Sequence, residues 1–368
     1  MRRQAAGHRA SREGQGEVIP EVTVRPVPLS CLDTSPELLQ SGFWGAFKEG
    51  YGWKAFPFEV SAGPATFGLL VLVRRLAGRF PIAYVPFGPV HDPGAGRGGT
   101  LALIARAVRE SLPKGTLFLR FDLPWARDGE SPAGPRLRKC RSDMQPASTV
   151  VVDISVSAEQ VLAAMKPKTR YNIRLADKKG VTVVEGTPAD VSSWYALYQE
   201  TARRDRIGIH SRAYYQGLLQ SAAGYSGEAP CVQLLLARHE GELLAGNIVA
   251  YWKDRAAYLY GASSGAKRNL MPTYALQWEA ITRAQARGCR TYDLFGVPPR
   301  PDPGHPMFGL YQFKTGFSEQ VRERWGTWDA VYRPGLRALF GAAEAARMFY
   351  YRGLKKRMGR GGTPAAAT

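Results

Sequence analysis

Two stretches of this 368-residue chain repeat one order of elements. The first starts at Ile82 and reads strand (IAYVPF), Gly/Pro-rich loop (GPVHDPGAGRGG), helix (TLALIARAVRESL), turn and strand (TLFLRFDL). The second starts at Ala256 and reads strand (AAYLYGAS), loop (SGAKRNLM), helix (PTYALQWEAITRAQAR), Gly288 and strand (CRTYDLFG). In the second helix Leu270, Tyr274, Trp278 and Ile281 recur at helical spacing, which predicts one apolar stripe. Gly288 stands where a left-handed residue ends a helix. A strand–loop–helix–strand order met twice predicts a duplicated α/β unit, with ligands at the strand ends beside the following loop and helix N-terminus.

The remaining segments divide the chain around those units. Val150–Ile154 reads as a strand and Ala158–Met165 as a helix. In KPKTRYNIRLADKKG, Pro167 suits the first position of a new helix and Gly180 its end. The expected partition is a basic tail over 1–22, an N-terminal domain over 23–148 with a returning segment over about 325–356, a C-terminal domain over 149–324, and a tail over 357–368. RERWGTWDAVYRP predicts a closing strand, and the run from Gly335 to Lys356 a basic amphipathic helix.

Lys and Arg total 50 against 31 Asp and Glu, a formal net charge of +19. Such a surplus favours a polyanionic partner, although a solvated Arg-rich surface has the same composition. The hydrophobic fraction of 45% excludes a disordered chain. Four cysteines without a CxxC pair fit reduced thiols in a cytoplasmic protein, and five scattered histidines predict no metal site. The N-terminus lacks the apolar run of a signal peptide, and no stretch has the length of a membrane span.

Three runs offer residues for chemistry. Arg170, Arg174 and Lys178 recur every fourth residue, with Lys166 and Lys168 at the N-terminus of the same helix. Cations there oppose the helix dipole unless an anion compensates, so phosphate contact and a solvated basic face are both open. In GLYQFKTGF, Lys314 is flanked by Phe313 and Phe317, with Gly316 allowing close backbone approach; oxyanion or phosphate stabilisation stands against a β-hairpin with an exposed lysine. In YDLFGVP, Asp293 ends a strand at a loop. LLQSGFWGAFKEGYGWKAFPF packs aromatics around Lys48 and Lys54, and Asp92 in PVHDPG is either a proton acceptor or a turn former.

The runs LLQSGFWGAFKEGYGW, YVPFGPVHD, MKPKTRYNIRLADKKGV, YLYGASS, LMPTYALQWEAITRAQARGCRTYDLFGVP and GLYQFKTGFSEQ follow one another as in the FemABX family, which the chain resembles from Leu38 to Pro334. The resemblance implies an α/β (α+β) fold of two tandem GNAT-like domains, the acyl-CoA N-acyltransferase fold. It implies non-ribosomal transfer of an amino acid from aminoacyl-tRNA to the third-position side chain of a peptidoglycan stem peptide, on either a UDP-sugar pentapeptide or a lipid-linked precursor.

By motif it places a catalytic role on Lys314 with Phe313 beside it. It places precursor contacts on Lys48, Arg212 and Tyr215, and further contacts near Tyr260 and Asp92. The basic helix, Lys166 to Lys178, would meet tRNA. Val181–Arg212 is too short for the coiled-coil arm of some members, so the armless members are the nearer kin. No cofactor is expected: the turn AKRNLMPT lacks the glycines that let a backbone approach coenzyme A, and Pro272 has no N–H to donate. A monomer is expected, with peripheral contact at the inner membrane face through the basic C-terminal run as one reading and packing on domain one as the other. An acyl-CoA-dependent N-acyltransferase and an inactive tRNA-binding module are the alternatives.

Overall fold

A computed structural model of the chain describes residues 21–205, 207–305 and 307–349. The N-terminal half begins with β1 (Val22–Pro26), α1 (Gly42–Glu49), β2 (Lys54–Ala62) and β3 (Ala65–Leu76). The first repeat follows as β4 (Phe80–Val85), α2 (Arg97–Arg109) and β5 (Phe118–Ala126), with a short β6 (Leu137–Lys139) after it. The C-terminal half opens with β7 (Ser148–Asp153), α3 (Ala158–Ala164), α4 (Pro167–Lys178) and β8 (Thr182–Gly186). Then come α5 (Val191–Asp205), α6 (Arg212–Gly224), β9 (Cys231–His239) and β10 (Glu242–Trp252). The second repeat is β11 (Arg255–Ser263), α7 (Pro272–Ala286) and β12 (Thr291–Gly296). The chain closes with α8 (Phe308–Lys314), β13 (Val321–Val331) and α9 (Pro334–Phe349).

The strands join in one sheet ordered β1-β2-β3-β4-β5-β13-β7-β12-β11-β10-β9-β8. Two neighbouring pairs are parallel, β4 with β5 and β11 with β12, and each is bridged by a helix, α2 or α7. Parallel neighbours need such a crossover, so the sequence repeat and the topology are one fact. β13 joins the halves. Its first residues pair with β7 (Val321↔Val150, Glu323↔Ser148), and the rest with β5 (Arg324↔Ala126 to Val331↔Phe118). The strand expected to return to the first domain therefore serves both halves.

Local chemistry explains the second repeat and the elements before it. Pro167 starts α4 and Pro272 starts α7 at positions whose N–H would be unpaired in any case. Gly180 and Gly288 follow the two helices at φ 77, the left-handed region that glycine enters without steric cost. The buried face of α7 is Leu276, Ala280, Ile281 and Ala284, and the buried Gln277 beside them accepts the Tyr292 hydroxyl at 2.7 Å. This corrects the expected stripe: Tyr274 and Trp278 are only half-buried at its edge. Small alanines let α7 lie close to the sheet, which bulkier residues would prevent.

Among the described residues three large cores result, one on α2, one on α7, and one at the seam between the halves, with a smaller fourth under α9. The seam core takes Phe43, Trp44 and Phe47 from α1, Trp194 from α5, Tyr214 and Tyr215 from α6, and Trp252 from β10. Trp194 is wholly buried and donates its indole N–H to the Gly246 carbonyl at 3.0 Å; Trp252 donates to the Ser35 carbonyl across the seam at 2.8 Å. Buried aromatics of this size contribute ~2–3 kcal/mol each, so the halves are held as packed neighbours. Among the described residues α5 and α6 lie on the sheet and no long helical hairpin projects from Val181–Arg212.

α9 folds back on the N-terminal half. Its Leu336 and Phe340 pack on Ile82, Leu117 and Phe118. Asp329, fully buried, is gripped by Arg120 (2.7 and 3.0 Å) and by Arg337 of α9 (2.7 Å), while Arg120 also reaches Glu344 at 3.1 Å. The described part of the basic helix thus takes the packed arrangement; the expected helix beyond Phe349 and both expected tails, apart from residues 21 and 22, lie outside the described residues. No helix among the described residues is long and apolar enough to cross a membrane.

Candidate active site

β11 and β12 pair only over three positions, Arg255↔Thr291 to Ala257↔Asp293, and then part. On its other side β12 slips register against β7 between Asp293 and Gly296. The parting leaves backbone carbonyls without ladder partners, and a buried carbonyl needs a donor. Lys314, the last residue of α8, supplies it: its Nζ donates to the Gly296 carbonyl at 2.9 Å and sits 5.4 Å from the Tyr258 ring centroid. GLYQFKTGF is therefore a helix and its turn, not a hairpin. Thr315 closes it by donating its hydroxyl to the Tyr311 carbonyl at 2.8 Å.

Lys314 is 4% exposed. Burial pushes its ammonium down to about 7, against the pull of the Asp293 carboxylate. Asp293 is itself fixed by the Thr149 hydroxyl, the Phe295 amide at 2.7 Å and Arg324 at 3.1 Å. Phe313 lies edge-on to Tyr274 and Phe317 with centroids 5.0 and 5.3 Å apart, which anchors α8 on the core under α7. Gly261 has a plain steric reason: a Cβ there would collide with the Tyr258 hydroxyl.

Gly316 has one too. A Cβ at that position would strike Thr169 Oγ1, and the Gly316 carbonyl accepts the Lys166 amide at 2.9 Å. KPKTRYN and YQFKTGF are therefore two sides of one junction between α4 and the turn after α8. Lys166 also pairs with Glu319 at 3.3 Å. α4 buries Thr169, Asn172, Ile173 and Ala176 and turns Lys166, Lys168, Arg174 and Lys178 to solvent. Arg170 differs from the other members of the expected stripe: it donates to the Ala163 carbonyl at 3.0 Å and to the Met165 carbonyl, capping the end of α3.

A second cluster forms at the seam. Lys48 Nζ lies 5.8 Å from the Trp44 ring centroid and 5.1 Å from that of Tyr214. Burial, then Arg74, push it down to about 8. His210 stacks on Tyr214 at 4.0 Å, and burial followed by Lys48 lowers its basicity. Tyr214 meets Tyr215 at 5.5 Å, and Tyr215 meets Tyr260 at 4.9 Å. Lys48 thus reaches Tyr215 and Tyr260 only through the ring of Tyr214. Arg212 stands at the edge, exposed and donating to Ser192 Oγ at 3.3 Å. Tyr215 is fully buried and its oxygen accepts the His210 amide at 2.9 Å, so Tyr214 and His210, which sequence reasoning passed over, face the lysine instead. Lys314 thus lies beside Tyr258 of β11, and Lys48 beside Tyr214 of α6.

Asp92 joins neither cluster. Arg97 grips both of its oxygens at 2.8 and 2.7 Å, and the Gly94 amide bonds one of them at 2.9 Å. Burial works against its charge, yet the Arg97 and Gly94 hydrogen bonds outweigh it and hold the carboxyl below its usual range. A carboxylate so committed is a poor proton acceptor. Among the described residues no group of three or more His, Cys, Asp or Glu could hold a metal ion. The loop before α7 places Met271 at φ 56 ahead of Pro272, with no side chain capping the helix.

Known proteins share this architecture. A crystal structure of FemX superposes with a TM-score of 0.73 at 18% identity, over 86% of this chain and 99% of that one. A tandem GNAT protein from the clavulanic acid biosynthesis pathway gives 0.50 at 15% identity, over 84% and 98%. Lipid II:glycine glycyltransferase of Staphylococcus aureus is 21% identical over 372 residues, 80% of this chain and 88% of the relative. The enzyme of the same name from Staphylococcus haemolyticus is 23% identical over 248 residues, 51% of this chain, and the match spans only 59% of that relative. The FemAB family model matches residues 134–229 and 225–345, more than half of the sequence. With the tandem GNAT-like fold in place, the chain belongs to the FemAB family and is an enzyme of its aminoacyltransferase class.

Proposed function

We propose that this enzyme moves an amino acid from aminoacyl-tRNA to the amine of the third stem-peptide residue of a peptidoglycan precursor, forming the first link of an interpeptide bridge. The observation that carries the reading is the buried Lys314 where β11 and β12 part, its ammonium lowered to about 7. The names of the relatives, which act on lipid II, favour a peptidoglycan precursor as acceptor. The exposed Lys166, Lys168, Arg174 and Lys178 offer phosphate contacts for the donor. Lys48, with His210 and Tyr214, offers a seat for the diphosphate of the acceptor.

In the reaction the acceptor nitrogen forms a bond to the ester carbonyl carbon, and the bond from that carbon to the ribose oxygen breaks. The proton lost by nitrogen ends on the ribose oxygen. Lys314 in its cationic form stabilises the oxyanion of the tetrahedral intermediate. Because its ammonium gives up a proton near neutral pH, it can hand one to the leaving ribose oxygen and recover one from the attacking amine. Asp92, held by Arg97, takes no part. Asp293 sets the field at Lys314 from a fixed position, and no cofactor enters the sequence of steps.

The test is transfer of radiolabelled amino acids from a mixed aminoacyl-tRNA pool to UDP-sugar pentapeptide and, separately, to lipid-linked precursor. Charged-tRNA-dependent label in either acceptor supports the reading. Label in neither, with folded enzyme and intact charged tRNA, refutes it.

A further inference from the structure

α4 carries a residue that neither the fold nor the proposed chemistry uses. Tyr171 is 62% exposed, and among the described side chains it is the one Phe, Tyr or Trp that lies exposed. A single apolar side chain on a surface is ordinary. The setting of this ring is not. α4 buries Thr169, Asn172, Ile173 and Ala176, and the stripe opposite them reads Tyr171, Arg174 and Lys178, at i, i+3 and i+7. The stripe runs about 10 Å along the helix, with Lys168 and Lys179 exposed beside it. The one carboxylate of α4, Asp177, lies about a quarter turn to the side.

Cations alone track phosphates and are blind to bases. A ring set among them adds a flat apolar face, and that is what an unpaired base stacks on. Bases inside a duplex already stack on one another, so paired RNA gains nothing from such a ring. The place of α4 points the same way. Its start is fastened to the turn after Lys314 by the Lys166 amide on the Gly316 carbonyl at 2.9 Å, and Thr169 packs against Gly316. Tyr171 follows one turn of helix later, on the order of 15 Å from that turn. An RNA end delivered to Lys314 along α4 therefore reaches the ring within a few nucleotides. We propose that Tyr171 is a stacking platform for an unpaired base near the ester-bearing end of the donor RNA, with Arg174 and Lys178 on the phosphates that follow. The inference rests on the proposed donor and adds to it: it names the residue that tells the single-stranded end from the paired stem.

The test uses the full chain and measures binding of uncharged tRNA by fluorescence anisotropy over a range of salt. The same tRNA without the unpaired nucleotides at its 3′ end is the comparison. Tyr171→Ala is expected to weaken binding of the intact tRNA about 5- to 100-fold, the loss of one base–aromatic stack. The salt slope should stay the same, because no charge is removed. Tyr171→Trp should keep the affinity and Tyr171→Leu should lose it, with thermal unfolding of all three close to wild type. Toward the trimmed tRNA, wild type and Tyr171→Ala should bind alike. Wild-type affinity for intact tRNA in Tyr171→Ala or Tyr171→Leu, or an equal loss toward both RNAs in Tyr171→Ala, would overturn the proposal. The two readings separate. A Tyr171-dependent preference for intact tRNA without transfer to any precursor refutes the function and leaves the platform standing. Transfer from charged tRNA that is bound equally well without the Tyr171 ring overturns the platform alone.

Discussion

Replacing Lys314 with methionine tests the site through stability and turnover together. Methionine keeps the unbranched, apolar part of the side chain and removes the amine that burial holds near pH 7. In the unfolded chain the lysine titrates near its ordinary value of 10.5. Between those two values the unfolded state holds a proton that the folded state lacks, so the lysine makes stability rise with pH in that window and penalises folding below it. Each pH unit well inside the window is worth ~1.4 kcal/mol. From pH 7.5 to 9.0 the wild-type enzyme should therefore gain about 2 kcal/mol on the Lys314→Met variant, measured by urea unfolding at both pH values. Lys48, lowered to about 8, titrates in the same range but is present in both proteins and cancels in the difference. The unmet Gly296 carbonyl adds a pH-independent offset of about 1–3 kcal/mol against the variant. Transfer should fall on the order of a hundredfold or more, as when one oxyanion donor is removed. A stability difference that does not change with pH would mean that Lys314 is not held neutral by burial. Wild-type turnover in the variant would remove it from the chemistry.

Gly316→Ala should cost about 1–3 kcal/mol and lower transfer, since the new methyl group meets Thr169 Oγ1; adding Thr169→Ala should restore much of both, in a double-mutant cycle read by thermal unfolding and transfer rate. Arg120→Met leaves the buried Asp329 with Arg337 alone and should cost about 3–5 kcal/mol in urea unfolding; a loss under 1 kcal/mol would show that α9 is not latched through this pair. Changing Lys166, Lys168, Arg174 and Lys178 together to glutamine should weaken tRNA binding and flatten its dependence on salt, by about 0.7–0.9 in log–log slope for each phosphate that the enzyme no longer neutralises. Arg170→Gln should act mainly on stability, by uncapping α3, and a reduced salt slope from that change alone would contradict its assignment as a cap. Gly261→Ala should displace the Tyr258 hydroxyl and reduce transfer, with a circular dichroism spectrum close to wild type.

What the sequence made legible was whatever depends on near neighbours. Pro167 and Gly180 bound α4, Pro272 and Gly288 bound α7, and the two strand–helix–strand units stand as read, because capping and periodicity act within a turn or two. What it hid depends on residues far along the chain. The Lys314 side chain meets Gly296 and Tyr258, and only the parting of β11 from β12 makes room for it. Arg170 has the spacing of a phosphate-binding stripe but reaches back across the gap between α3 and α4, which spacing cannot reveal. The role of β13 in both halves was equally hidden, since a single run of strand residues does not tell which partners it will take.

The charge surplus illustrates the same division. A net charge of +19 suggests a polyanionic partner without saying where it binds, and every lysine contributes to it alike. Among the described lysines burial lowers two, Lys48 and Lys314, while the lysines of α4 stay in water. A cation placed where water is excluded is held at a free-energy cost, and it interacts more strongly with any anion that reaches it. In the proposed function the two depressed lysines mark the ends of the path that a diphosphate-linked acceptor and an activated ester share, Lys314 beside Tyr258 and Lys48 beside Tyr214. The cations of α4 lie in water, so any contribution they make to binding an anion should disappear in high salt well before that of Lys48 does.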